Sequence, residues 1–231
     1  GSKIDLIGEK SLIKKAREAL KQDKKSFHFL SINPIKIIKS QTNQKLKQYI
    51  ENADIIYSDA VGITIAARIL YNIKIERVTG YDFHFKILKI CQKKGYPVYF
   101  LGTDEESLKK GIQKYNDKYP GLMICGFHNG YFNDTEFSKI ILPDIIKMKP
   151  KLIIVAMGNP LQEKWIEKIR SKTVVPMMMG VGGTIDTFIG KYPLGPRWII
   201  KFGLLWIYRL IKQPRRYKEM SALPIFALPI T

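Results

Sequence analysis

Five short turns hold the side chains with the most chemistry in this chain. They are Ser31-Ile32-Asn33-Pro34, Ser58-Asp59-Ala60, Gly102-Thr103-Asp104, Gly158-Asn159-Pro160 and Gly180-Val181-Gly182-Gly183. Each follows a short apolar run, and the first four lead into helix-like stretches. Hydroxyl, amide, carboxylate and glycine at such turns suit an oxygen-rich anion. The first N–H groups of a helix lack intrahelical partners and favour phosphate, and glycine lets a bulky anion approach the backbone closely. Taken singly, Asn33, Asp59 and Asp104 also read as N-caps, and the glycines as turn formers. Taken together on one sheet edge, the five turns point to a nucleotide or phosphosugar crevice.

Several other chemistries lack their residues. There is no GxxxxGK[ST] loop, no GxSxG elbow, no HExxH helix and no DxD triplet. Gly180-Val181-Gly182-Gly183 is not a GxGxxG, so a dinucleotide oxidoreductase has little support. His28, His84 and His128 are dispersed and read as packing or surface residues, while Cys91 and Cys125 lie far apart without metal-type spacing. No metal and no other cofactor is expected.

The elements that must position these turns alternate in type. Helices are expected over Glu9–Lys21, Pro34–Tyr49, Ile63–Leu70, Asp82–Lys93, Glu105–Tyr119, Thr135–Lys147 and Leu161–Arg170. Strands are expected over Phe27–Ile32, Ala53–Tyr57, Pro97–Leu101, Leu122–Gly126, Leu152–Met157 and Val174–Met179. Short apolar strands alternating with helices predict an α/β fold, Rossmann-like, with a mostly parallel sheet covered by helices on both faces. In such sheets ligands bind outside the carboxyl ends of the strands. The character changes after Gly190, where the chain turns Pro-, Trp- and Arg-rich. The expected division is a Rossmann-like domain over 3–190 and a C-terminal basic-amphipathic helical appendage over 191–231.

The 231 residues carry 39 basic and 20 acidic side chains, a net charge of +19. That excess suits an anionic partner, although Lys and Arg are spread along the whole chain and much of it reads as solvated faces. On a helical wheel Arg197, Lys201, Arg209 and Lys212 form a narrow basic stripe. The rest of that stretch is apolar and bears Trp198 and Trp206. Such a helix suits an anionic membrane surface, or else packs on the core or on a neighbouring subunit. No apolar stretch of about 20 residues occurs that would span a bilayer. The first residues are charged with no apolar block after them, so no signal peptide is expected. A nucleic-acid-binding module is the rival reading of the charge, but the aromatic-interleaved sheet pattern of RNA-binding folds is missing.

The order of these signals resembles the WecG/TagA/CpsF glycosyltransferases, glycosyltransferase family 26. The matching pieces are "SINP", "YSDAVGITIAARIL", "ERVTGYDF", "YFLGTDEES", "HNGYF", "VAMGNPLQEKW", "MGVGGTID" and "LWIYRLIKQPRRY". The resemblance implies an inverting, metal-independent transfer of N-acetylmannosamine, or a related sugar such as its uronic acid or glucose, from a UDP donor. The implied acceptor is a sugar on undecaprenyl diphosphate, normally N-acetylglucosamine, in teichoic acid or surface polysaccharide synthesis. The implied place is the cytoplasmic face of the bacterial membrane, with the protein held peripherally. Nucleic acid is not an expected partner, and the reading is compatible with a homo-oligomer.

The resemblance also implies roles. Asp59 stands at the position of the family's proposed general base, which takes the proton from the acceptor hydroxyl as UDP leaves. Ser31 keeps a hydroxyl and Asn33 an amide beside it. Arg77, Gly80 and Asp82 lie near the donor; Asp82 would position a sugar hydroxyl or cap the following helix. Gly102, Gly158, Pro160, Gln162, Gly180 and Gly182 would line the donor diphosphate and nucleotide. Arg209 and Arg216 would reach the diphosphate and acceptor; by its local setting in the helix-like stretch after Pro160, Trp165 reads as a packing residue. The chain departs from the family pattern at Ala60, Leu161, Leu194, Leu205 and Glu219, which bears on the acceptor and the appendage more than on the donor.

Overall fold

A computed structural model describes residues 4–196, with Ile199, Ile207, Tyr208 and Ile211 beyond them. Among the described residues six strands form one sheet: β1 (Phe27–Ile32), β2 (Ile55–Ser58), β3 (Val98–Gly102), β4 (Ile124–His128), β5 (Leu152–Ala156) and β6 (Met177–Gly180). Their order is β2-β1-β6-β5-β3-β4, and every neighbouring pair is parallel. All six carboxyl ends therefore share one edge, as the expected α/β fold requires.

Helices cover both faces because the strands are apolar on both sides. Phe29, Tyr57, Phe100, Ile154 and Met179 point to one face. There they pack under α1 (Glu9–Lys21), α5 (Gly80–Lys94), α6 (Glu105–Lys118) and the short α10 (Thr184–Ile189). On the other face Tyr99, Leu101, Ile153 and Val155 pack against α9 (Leu161–Arg170), while Leu30, Ile32 and Ile56 pack against α3 (Gln44–Glu51). Trp165 is buried here against Phe132 and Phe137, in the packing role expected of it.

Four differences from the expected elements have local causes. The helix expected over Pro34–Tyr49 is two, α2 (Pro34–Thr42) and α3, because Asn43 is extended and its side chain accepts from Leu46 N–H, starting a new helix. The helix expected over Thr135–Lys147 is interrupted. A turn of α7 (Asp134–Glu136) passes into a π segment (Phe137–Ile141), where the Leu142 N–H reaches Phe137 O, before α8 (Leu142–Met148). Pro143 in the first turn of α8 has no N–H to offer that wider turn. β6 begins only after Pro176, whose carbonyl still accepts from Phe27 N–H. The short α10 follows the Gly180–Gly183 turn directly, and its glycine N-cap, Gly183, gives no side-chain signal.

The helix α4 (Val61–Tyr71) is unlike the others. It is almost wholly apolar, yet only Ile63 is buried.

Candidate active site

Because the sheet is all parallel, Asp59, Asn33, Gly180, Gly158 and Gly102 lie in a row at the ends of five consecutive strands, β2, β1, β6, β5 and β3. Adjacent strands are about 4.8 Å apart, so the row from Asp59 to Gly158 covers about 14 Å. That is the scale of an extended nucleoside diphosphate sugar.

Asp59 leaves β2 half-buried. Its backbone N–H bonds to Ile32 O at 3.1 Å, and its Oδ1 accepts the Gly80 N–H at 2.9 Å. Gly80 is the first residue of α5, so the carboxylate sits against the positive end of a helix other than the one that follows it. Its own following helix, α4, is capped by Ala60 with no side-chain bond. Val78 N–H bonds to Ser58 O at 2.8 Å and so brings the half-buried Arg77 to the same edge.

Sheet register adds a residue that spacing alone did not reveal. Ser31 pairs with Tyr57, and both side chains lie on the α5 face. The Tyr57 hydroxyl is buried without a hydrogen bond of good geometry. Burial first, and the Asp59 charge second, raise its pKa far above the usual phenol value, while the Ser31 hydroxyl pulls it down. Tyr57 Oη and Asp59 Oδ2 are close enough that a methyl group on Gly80 would touch both at 3.6 Å.

The other expected residues fall into three groups. Asn33 is the N-cap of α2, accepting Lys36 N–H at 2.9 Å, and Asp104 caps α6 in the same way through Ser107 N–H. Asp82 is the third residue of α5: its N–H donates to Oγ1 of the N-cap Thr79, and that hydroxyl donates to the exposed Asp82 carboxylate. Thr79, not Asp82, is therefore the cap of α5, and the Asp82 carboxylate supports that cap from inside the helix.

The glycines divide by what surrounds them. A Cβ on Gly102 would lie 2.6 Å from the Ala156 backbone, and one on Gly180 would lie 2.4 Å from Gln162 Nε2. These two serve close internal packing. Gly158 and Gly182 have φ of 71° and 53°, and a Cβ on either would meet nothing within 4 Å. Among the described residues nothing fills that space, so a ligand can come close there. Between them, Pro160 is the N-cap of α9 and follows Asn159 through a cis bond. Gln162 is buried, accepting Gly182 N–H at 2.9 Å and donating to Glu163 Oε1 at 2.9 Å.

Supporting interactions bring in Lys36, Glu163, Asp186 and Lys191, which were not among the expected residues. Lys36 and Glu163 form a buried ion pair beneath the β1 and β5 ends. Thr103 Oγ1 donates to Asp186 Oδ1 at 2.8 Å, and Lys191 bridges Asp104 and Asp186. Hydrogen bonding to Lys191 holds the Asp104 carboxyl far below its usual range. Lys36 follows Asn33 by one helical turn, which is the only sequence signal it gave. Arg209 and Arg216 lie outside the described residues. Among the described residues, no three His, Cys, Asp or Glu side chains gather into a metal-binding group, and no helix is long and apolar enough to cross a membrane.

A model of the glycosyl transferase WecG/TagA/CpsF family matches residues 1–231. Two relatives carry the name N-acetylglucosaminyldiphosphoundecaprenol N-acetyl-beta-D-mannosaminyltransferase. One, from Bacillus subtilis (strain 168), is 30% identical over 181 residues, 78% of this chain and 70% of its own length. The other, from Bacillus spizizenii (strain ATCC 23059 / NRRL B-14472 / W23), is 28% identical over 211 residues, 91% of this chain and 80% of its own.

Proposed function

Since this chain belongs to the WecG/TagA/CpsF glycosyl transferase family, we propose that it moves N-acetylmannosamine, or a closely related sugar, from UDP to N-acetylglucosamine on undecaprenyl diphosphate. The transfer inverts the anomeric centre and uses no metal. The observation that carries this reading is the Asp59 carboxylate, fixed at the end of β2 by the Gly80 N–H in a row of strand ends long enough for the donor.

In the proposed reaction Asp59 takes the proton of the acceptor hydroxyl, whose oxygen attacks the anomeric carbon from the side opposite UDP. The bond from that carbon to the UDP oxygen breaks, and the new charge stays on the diphosphate. N–H groups near Gly158 and Gly182, with the cationic Arg77, Arg209 and Arg216, are the proposed recipients of that charge. Ser31 and Asn33 lie beside the base at the β1 end and suit donor hydroxyls. A lipid-linked acceptor supports a peripheral position for the protein, on the cytoplasmic face of the membrane in this reading.

The test is transfer from a panel of UDP-sugars to a soluble undecaprenyl-diphosphate-N-acetylglucosamine analogue. Asp59→Asn should cut turnover by roughly 10²–10⁴-fold, the usual weight of a general base, while UDP affinity stays within about threefold. Undiminished turnover in that variant would remove Asp59 from the mechanism. No transfer from any donor would remove the reaction.

A further inference from the structure

The helix α4 begins two residues after Asp59 and turns its apolar side chains outward. Ile65 is 52% exposed, Ile69 76%, Leu70 44% and Tyr71 70%. Ile65 and Ile69 are one helical turn apart and share a face. Isolated exposed apolar residues need no explanation, but a contiguous group on one short helix marks an interaction surface. Its sequence, VGITIAARILY, contains no acid; Arg68 is exposed in its last turn, and exposed Lys74 follows it. Exposed Leu6 lies with Lys74 and Glu76 around a hollow next to this region, and Glu76 is engaged by the Glu9 N–H at 3.2 Å.

We propose that the outer half of α4 is a membrane-contact element, burying Ile65, Ile69, Leu70 and Tyr71 among lipid chains while Arg68 and Lys74 meet anionic headgroups. Three observations select lipid as the occupant. A cationic rim without acids on the helix, on a chain of net charge +19, complements an anionic surface. The four side chains offer roughly 450 Å², about half of what one partner contributes to a standard protein interface, whereas lipid needs no such minimum. The third is position: eleven helical residues span about 16 Å, so the membrane-facing tip lies within one short helix of the carboxylate at its other end. A headgroup-borne hydroxyl and the base are thereby brought to one level. This inference rests on the lipid-linked acceptor of the proposed function for its purpose, but not for its test.

The test uses the full chain in two forms. In a Cys125→Ser background, with Cys91 buried, Ile69→Cys is labelled with a polarity-sensitive fluorophore. Adding phosphatidylglycerol vesicles should shift its emission to the blue, and phosphatidylcholine vesicles should do so less. Ile65→Ser/Ile69→Ser should lower partition onto phosphatidylglycerol vesicles about tenfold or more, with transfer to the soluble acceptor analogue unchanged. Emission that is already blue without vesicles overturns the proposal, because protein then covers α4. That protein is a second copy if the double substitution also splits a dimer in sedimentation, and residues 197–231 if it does not. Unchanged partition of the double variant overturns it as well. If the wild-type chain binds vesicles through α4 but transfers no sugar to the soluble analogue, the proposed reaction fails and the membrane contact stands.

Discussion

Lys36 and Glu163 are 127 positions apart in the chain and 2.8 Å apart in the fold, with side chains only 4% and 1% exposed. Lys36 Nζ also donates to Ser31 O at 2.8 Å, and Glu163 Oε1 also accepts from Gln162 Nε2. The pair thus ties the end of β1 to the start of α9 and, through Gln162, to the turn after β6. Burial alone would raise the Glu163 pKa; the charge and hydrogen bond of Lys36 outweigh it and hold the carboxyl below its ordinary value.

Removing one member should be costly and removing both should not. Lys36→Met leaves a buried carboxylate unpaired, and Glu163→Gln leaves a buried ammonium. Each should lose about 3–5 kcal/mol of stability. Lys36→Met combined with Glu163→Leu replaces the pair with apolar volume and should return to within about 1–2 kcal/mol of the parent. Urea unfolding of the three variants measures this. A double variant as unstable as the singles would mean that the pair is not the unit.

The bond from Gly80 to Asp59 can be removed with little disturbance to the helix around it. Proline suits the first position of a helix, and Thr79, with φ −69° and ψ 133°, already has the conformation that a residue before proline requires. Gly80→Pro therefore deletes the N–H while α5 should persist. Loss of a hydrogen bond to a charged group, about 1.5–3 kcal/mol, should lower kcat roughly 10–100-fold. Gly80→Ala keeps the N–H and adds only ordinary contacts at 3.6 Å, so it should stay within about twofold of the parent. Equal activity of the two variants would show that the N–H does not matter.

The contrast between Asp59 and its helpers shows what a sequence can reveal here. Each strand end was legible because an apolar run stopped at glycine or a small polar residue, and a parallel sheet gathers such ends on one edge. Register was not legible. Nothing in the spacing of Ser31 and Tyr57 says that they are paired neighbours, yet the pairing puts a phenol beside the base. Lys36 looked like any lysine on a solvated helix face, because its burial depends on Glu163 arriving from another helix. Asn43 was hidden inside an otherwise continuous helical pattern and acts only because its side chain turns back to cap α3. Arg209 and Arg216 fall outside the described residues, so their roles still rest on the family resemblance alone.

His84 should make the fold acid-sensitive well above the carboxylate range. It is fully buried, with Nε2 2.8 Å from Tyr115 Oη. Burial, helped by the Lys118 charge, pushes its pKa down from the ordinary 6.5 to about 3. Between those values the unfolded chain binds a proton that the folded chain refuses, so stability is complete above about pH 6.5 and falls as pH drops toward 3. At about 1.4 kcal/mol per pH unit the loss reaches a few kcal/mol by pH 4. The paired carboxylates of Asp104 and Glu163 add to it only at lower pH, near their unfolded values. His84→Leu should lower stability by about 1–3 kcal/mol at neutral pH, because Tyr115 loses its partner, but should flatten the decline between pH 6.5 and 4.5. A decline as steep in the variant as in the parent would assign it to other groups.

Gly180 and Gln162 should act as one unit in holding the turn that ends at Gly182. A methyl group on Gly180 would sit 2.4 Å from Gln162 Nε2 and 2.6 Å from its Cδ, so Gly180→Ala must drive that side chain away. Gln162 Oε1 is the acceptor for Gly182 N–H, and a Cβ on Gly182, like one on Gly158, would meet no described atom within 4 Å. Displacing Gln162 thus frees the turn that the proposed diphosphate approaches, and UDP affinity should fall about tenfold, the weight of one hydrogen bond to a positioned anion site. Gln162→Ala removes the same acceptor and should cost a similar factor. In the double variant the new methyl has room, and the acceptor is already gone, so the second substitution should add almost nothing. Calorimetry of UDP binding to the four proteins gives the coupling directly. Two independent tenfold losses that multiply to a hundredfold would separate Gly180 from Gln162 and leave the close contact between them without a part in binding.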